Sequence, residues 1–158
     1  MTANEFLEKF PDLDLQRESL NKLGCSYGYI SVFDHWLSEE EAEKCGYMSF
    51  LIASRRGAIK EYTDGETKFM EFYMSLADEG GLLNRPGPQS KFESSDEEIK
   101  KKILDSLREV RFIDVYFMRF NVRIVGGYDR TDLVIFERNS DVRGFLDEVE
   151  RFKLFFLK

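Results

Sequence analysis

The stretch YGYISVFDHWLSEEE, Tyr27 to Glu41, holds the only histidine and the only tryptophan of a 158-residue chain. Its apolar positions Tyr29, Ile30, Val32, Phe33, Trp36 and Leu37 recur at steps of three and four, the spacing of one wide helical face. A strand requires alternation, and Ile30, Ser31, Val32, Phe33 interrupt it. The stretch is therefore expected to be helical, which makes the first half of the chain mainly helical. Ser38 and Glu41 fit a capping box, in which each side chain serves the other's backbone N–H, and open a further helix through Ala42 and Cys45.

Upstream, Thr2 to Glu5 fits another capping box for a short helix stopped by Pro11. A second helix is expected from about Asp14 to Leu23, with Gly24 as its left-handed C-terminal cap. Downstream, Tyr47 to Ser54 is apolar almost throughout, so periodicity leaves helix and strand equally open. Arg55, Arg56 and Gly57 form a turn candidate. Thr63 to Glu66 reads as a capping box ahead of Phe69, Phe72, Tyr73 and Leu76, a helix ended by Gly80 and Gly81. Residues 80 to 95 carry three Gly and two of the three Pro residues, a composition that favours a loop.

Ser94 to Glu98 then caps a helix bearing Ile99, Ile103, Leu107 and Val110. Tyr116 to Val125 alternates as one half-exposed strand, with Arg119, Asn121 and Arg123 facing solvent. Gly126 and Gly127 supply a tight turn, and Asp132 to Arg138 returns as the antiparallel partner. Asn139 or Ser140 caps a final helix carrying Val142, Phe145, Leu146 and Val149. The ending FKLFFLK is too apolar for a free tail and belongs in the core or at an interface between copies. The expectation is an α+β fold in one domain, residues 1–158: a mainly helical N-terminal half, an antiparallel hairpin or small sheet, and a C-terminal helix.

The formal charge is −7, with −8 in residues 1–80 and +1 in residues 81–158. That balance argues against nucleic acid and anionic membranes as partners and in favour of a basic protein. Cys25 and Cys45 are too few for a disulfide framework and lie in no CxxC or zinc spacing, so reduced, buried thiols and a cytoplasmic location are expected. No secretory signal and no membrane-spanning run is recognisable.

Chemistry has little to stand on. His35 invites a thiol-activation reading with Cys25 or Cys45, but adjacent helical residues point about 100° apart, so Asp34 alone does not orient it. Glu39, Glu40, Glu41 and Glu43 lack the Asp/Asn-Gly loop that wraps calcium. They read as a solvated first helical turn or as a partner surface. Gly126-Gly127 lies in no phosphate-binding motif. No metal and no cofactor is expected, and no catalytic residue stands out.

Tyr27, Tyr29, Asp34, Trp36, Glu39, Glu40 and Glu41 place aromatics and carboxylates side by side, the mixture that gives buried anchors and charge complementarity at an interface. In this respect the chain resembles bacterial immunity proteins, and SYGYISVFDHWL is similar to the inhibitory helix region of the barstar family, which mixes Tyr, Asp and Trp before a leucine. The resemblance spans about a dozen residues. It implies an inhibitory, non-enzymatic role for Tyr27, Tyr29, Asp34 and Trp36 against a basic toxin or effector. The alternative is a small enzyme or ligand-binding protein with a pocket near His35.

Overall fold

Gly24, at φ 68°, closes a helix and delivers the chain into a strand, Ser26–Ser31, where a helix was expected. In the computed structural model, which describes residues 3 to 158, this strand is β1. Before it lie α1 (Ala3–Lys9) and α2 (Arg17–Lys22); Thr2 of the expected first capping box lies outside the described residues. After it come α3 (Glu39–Lys44), α4 (Phe50–Arg56) and α5 (Ile59–Ala77). Then follow β2 (Gly81–Arg85), β3 (Ser90–Phe92), α6 (Glu97–Leu107), β4 (Asp114–Phe117), β5 (Val122–Val125), β6 (Thr131–Phe136), α7 (Val142–Arg151) and β7 (Phe155–Leu157). The fold is α+β: one antiparallel seven-stranded sheet in the order β3-β2-β4-β5-β6-β1-β7, with helices on both faces.

The main core lies between one sheet face and α5, α6 and α7. Ile30, Leu83, Val115, Phe117, Val122, Ile124, Val134 and Phe136 meet Phe69, Phe72, Tyr73, Leu76, Ile99, Ile103, Phe145 and Val149 there. The second face is covered in two patches. Phe6 and Phe10 of the α1 segment pack on Leu82 and Tyr116, and Leu20 of α2 packs near Val125, Leu133, Tyr27 and Tyr29.

β1 alternates after all. Tyr27, Tyr29 and Ser31 share the second face, while Ile30 enters the main core and Gly28 lies beneath the Phe156 ring. A Cβ on Gly28 would stand 2.1 Å from that ring, so the missing side chain is what lets β7 lie against β1. The helical spacing in the sequence arises because the strand stops at Ser31 and Phe33 to Leu37 belong to an irregular loop.

Other expectations are corrected by the same sheet. Residues 80 to 95 include β2 and β3, because Leu82 and Leu83 are buried and pair with β4. Residues 116–125 are two strands, since Phe120 and Asn121 turn at φ 66° and 54°. Phe117 pairs with Val122, so the inward positions change from odd in β4 to even in β5, and Met118 and Phe120 of the turn fall in step with Val122 and Ile124 in the sequence. α5 begins at Ile59, which puts Thr63 inside the helix. The last two helices take Asp96 and Asp141 as N-caps, the second in place of Asn139 or Ser140. Of residues 47–54, those from Phe50 on form helix α4, which also takes in Arg55 and Arg56 of the expected turn and is ended by Gly57 in the left-handed region. FKLFFLK supplies β7, with Leu154 and Leu157 buried. Among the described residues no helix is long and apolar enough to cross a membrane.

Arg123 and Arg119 are not solvent-facing. Arg123 is buried and grips Asp114 through Nε and Nη2, both at 2.9 Å, with Asn84 donating to the same carboxylate at 2.9 Å and Phe10 stacked 5.3 Å away. Each charge is thus paired and hydrogen-bonded, the condition under which burial is tolerated. Arg119 donates to the buried Glu148 and reaches Glu79 at 3.1 Å.

Asp132 is the most isolated buried acid. It accepts from the Tyr73 hydroxyl and, at 3.0 Å, from Gly127 N–H, yet burial pushes its pKa up to about 6. A raised acid pKa means the folded chain keeps a proton that the unfolded chain releases, so its contribution to stability falls between about pH 4 and pH 6 and is level above that. Asp132→Asn should therefore gain on wild type across that window, by up to about 3 kcal/mol, measured by urea unfolding at pH 4 and pH 7. An equal difference at both pH values would place no buried charge there. Gly28→Val should cost about 1–3 kcal/mol by overpacking, and adding Phe156→Ala should return part of it.

Candidate functional site

The feature that β1 positions is the loop from Val32 to Leu37, which leaves the strand next to the sheet edge. Ser31 Oγ, fully buried, anchors its start by accepting from Phe33 N–H at 3.1 Å and from Thr131 Oγ1 at 3.1 Å. Its end is the expected capping box: Ser38 Oγ accepts from Glu41 N–H at 3.1 Å, and Glu41 Oε1 accepts from Ser38 N–H at 3.0 Å.

Between these anchors His35 is clamped. Its Nδ1 lies 2.5 Å from Asp34 Oδ1 and its Nε2 lies 2.7 Å from Glu41 Oε2. The irregular backbone allows what a helix would forbid, a contact between adjacent side chains. Both ring nitrogens face carboxylates, an arrangement only the imidazolium satisfies, since it alone donates from both. Asp34, and next Glu41, accordingly hold the His35 pKa above its ordinary value. The Ser38 N–H and then His35 hold Glu41 below its own. No hydrogen bond joins His35 to either cysteine among the described residues, so no thiol-activating pair forms. Cys25 and Cys45 are free and half-buried rather than fully enclosed.

Trp36 is 45% exposed yet held from several sides. Its Nε1–H donates to the Lys158 carbonyl at 2.7 Å, its ring meets Tyr29 edge-on at 5.0 Å, and the Arg17 guanidinium stands 5.3 Å from it. Tyr29 continues the series to Tyr27 at 6.0 Å, and Tyr27 is committed to α2 through its hydroxyl, 2.6 Å from Asn21 Oδ1. Glu39 and Glu40 are exposed on α3, with Glu40 paired to Lys44 at 2.7 Å. The structure thus brings Tyr29, Asp34, Trp36 and Glu41 around one loop, leaves Glu39 and Glu40 on its flank, and turns Tyr27 toward a helix.

The loop is a ridge between two hollows. On the sheet side lies a groove of about 440 Å³ lined by Tyr29, Trp36 and His35, by Thr131 and Leu157, and by Tyr128 and Asp129 of the β5–β6 turn. On the other side a shallower hollow of about 630 Å³ runs past Asp34, Glu41, Cys45 and Phe155. The surface is therefore concave beside Trp36.

Tyr128 and Asp129 escape sequence reasoning, which sets the tight turn at Gly126-Gly127, whereas the positive φ angles fall on Asp129 and Arg130. What aims them outward is Arg130, whose buried guanidinium lies 4.3 Å from the Tyr62 ring and donates to Tyr62 O at 2.7 Å. Gly65 makes room, since a Cβ there would meet Arg130 Nη2 at 2.5 Å. With Arg130 drawn inward, Asp129 and Arg130 take left-handed φ of 59° and 58°, and Tyr128 stands 69% exposed against Phe112.

The single histidine makes the clamp measurable. His35 should titrate above its ordinary 6.5 by ¹H NMR, and Asp34→Asn or Glu41→Gln should each bring it down. Because the raised pKa favours the folded clamp, its contribution is present below about pH 6.5 and is lost as pH rises through the folded value. A wild-type value at or below 6.5 would mean that the clamp does not form in solution.

Comparison of the chain with protein-family models, with curated proteins and with solved structures returns no match, so the reading of this surface rests on its own chemistry.

Proposed function

We propose that the chain is an immunity-type inhibitor, a small acidic protein that binds and neutralises a basic toxin or effector rather than catalysing a reaction. The observation that carries this reading is Trp36: a large aromatic left nearly half exposed, immobilised by the Lys158 carbonyl and Tyr29, and set beside the carboxylates of Asp34, Glu39, Glu40 and Glu41. Aromatic anchors ringed by polar groups dominate the energetics of protein interfaces, and rigid ones lose little entropy on binding. The surplus of acid, concentrated in the first 80 residues, accelerates encounter with a cationic surface. In this reading the protein acts in the cytoplasm, where its two unpaired thiols stay reduced.

The groove beside His35 favours a second reading, a small enzyme or ligand-binding protein, because its volume lies within the range of small-molecule sites. Its histidine, however, has both nitrogens occupied by carboxylates, which leaves no lone pair for general-base work.

The test uses Glu39→Lys with Glu40→Lys and spares Glu41, which is part of the capping box. Wild-type protein immobilised in lysate of its own cell should retain a stoichiometric basic protein that raised salt releases. The double variant should associate with that partner about tenfold more slowly at low salt, with a flatter salt dependence. Recovery of no basic partner, or an association rate indifferent to both charge and salt, would remove the inhibitor reading.

A further inference from the structure

We infer that the groove between Trp36 and Asp129 is a seat for an arginine side chain, presented by the basic partner that the proposed function requires. Trp36 and Tyr29 already accept a guanidinium: Arg17 stands 5.3 Å from the first ring and 6.0 Å from the second, and it makes no ion pair among the described residues. Trp and Tyr faces attract cations through the ring quadrupole, and Arg more often than Lys. The ring pair is therefore built for this class of group, and its second half is the groove.

The groove's charges point the same way. No Lys or Arg lines it. His35 enters its wall already matched by Asp34 and Glu41, two carboxylates for one imidazolium. Asp129 also lines it and has no ion-pair partner among the described residues. Glu109, close to Asp129, is held above its ordinary pKa, first by burial and also by the Asp129 charge, and neither carboxylate has an ion pair among the described residues. Thr131 Oγ1 also lines the groove and can accept an N–H bond. Aromatic faces, a carboxylate and a hydroxyl around one groove match a planar, five-donor cation.

Arg17 also sets the expected behaviour of variants. A partner arginine brought onto rings that carry a fixed guanidinium is opposed by like charge, so removing Arg17's charge strengthens binding. Removing Asp129's charge weakens it, and Asn is the safe replacement because it tolerates the left-handed backbone found there.

Trp36 is the chain's only tryptophan, so its fluorescence reports on this groove alone. The probe is the peptide acetyl-Gly-Arg-Gly-amide, titrated into full-length protein to about 20 mM, with its lysine and citrulline counterparts as controls; citrulline keeps the shape of arginine and loses the charge. The arginine peptide should give a saturable change, bind at least about fivefold more tightly than the citrulline peptide, and exceed the lysine peptide. Asp129→Asn should weaken it and Arg17→Gln should tighten it, each by about fivefold or less, with circular dichroism melts showing both variants folded. Equal response to arginine and citrulline, no saturable response, or indifference to Asp129→Asn would overturn the seat. A basic partner captured by a protein that ignores the arginine peptide overturns the seat and leaves the inhibitor reading standing. Peptide binding with no basic partner recovered does the reverse.

Discussion

The interaction on which the rest of the structure depends is the antiparallel pairing of β1 with β6, from Ser26↔Phe136 to Ser31↔Thr131. It joins segments about a hundred residues apart and places the N-terminal strand inside the sheet, with β7 added on its outer side. Register is imposed from the main-core face: Ile30 must enter the core, and Gly28 must lie under Phe156. A slip by one residue would expose Ile30 and drive Tyr29 into the space the ring of Phe156 fills. Every feature of the candidate surface follows from that register, because the Val32–Leu37 loop leaves the sheet wherever Ser31 stops.

Buried polar groups hold the surrounding pieces at fixed angles. Arg123 and Asp114 tie adjacent strands on the second face, and the Pro11 carbonyl, 3.3 Å from Arg123 Nη1, tethers the segment after α1 to them. Tyr73 and Asp132 link α5 to the start of β6, while Arg130 links the preceding turn to the same helix through Tyr62. Loss of one member would strand a charge or donor in a low-dielectric interior, so these contacts act less as sources of stability than as constraints on geometry. The β5–β6 turn shows the effect: its outward-facing Tyr128 and Asp129 are aimed by what its inward-facing arginine must reach.

Local devices were legible in the sequence, whereas the partner of each segment was not. Gly24 caps α2, and Ser38 and Glu41 form their box, because each depends on a few neighbouring residues and elementary backbone chemistry. The stretch from Tyr27 to Glu41 was misread because a short strand followed by an apolar loop mimics helical spacing, and only pairing with β6 and β7 distinguishes them. β2 hid in a Gly- and Pro-rich region for the same reason. Arg123 resembled a solvent-facing charge because nothing local announces that Asp114 will stand beside it. At the candidate site, Trp36 and the acids were found from composition, but Asp129 and Tyr128 were not, since they reach the groove only through a turn whose orientation a distant helix decides.

The state of Trp36 separates a packing role from a surface role. A tryptophan needed for the core would be enclosed and would find its N–H partner there, whereas this one spends its N–H on the carbonyl of Lys158 at the sheet edge and keeps much of its ring in water. Exposed apolar rings carry a hydration cost, and fixing one adds an entropic cost. Here both costs fall on the same residue, next to a histidine held by two carboxylates and a loop pinned at each end. Such an arrangement lowers the entropy lost when a partner arrives, because the ring, the acids and the groove wall are ordered beforehand. That preorganisation is the physical link between a strand register set deep in the sheet and a recognition surface at its edge.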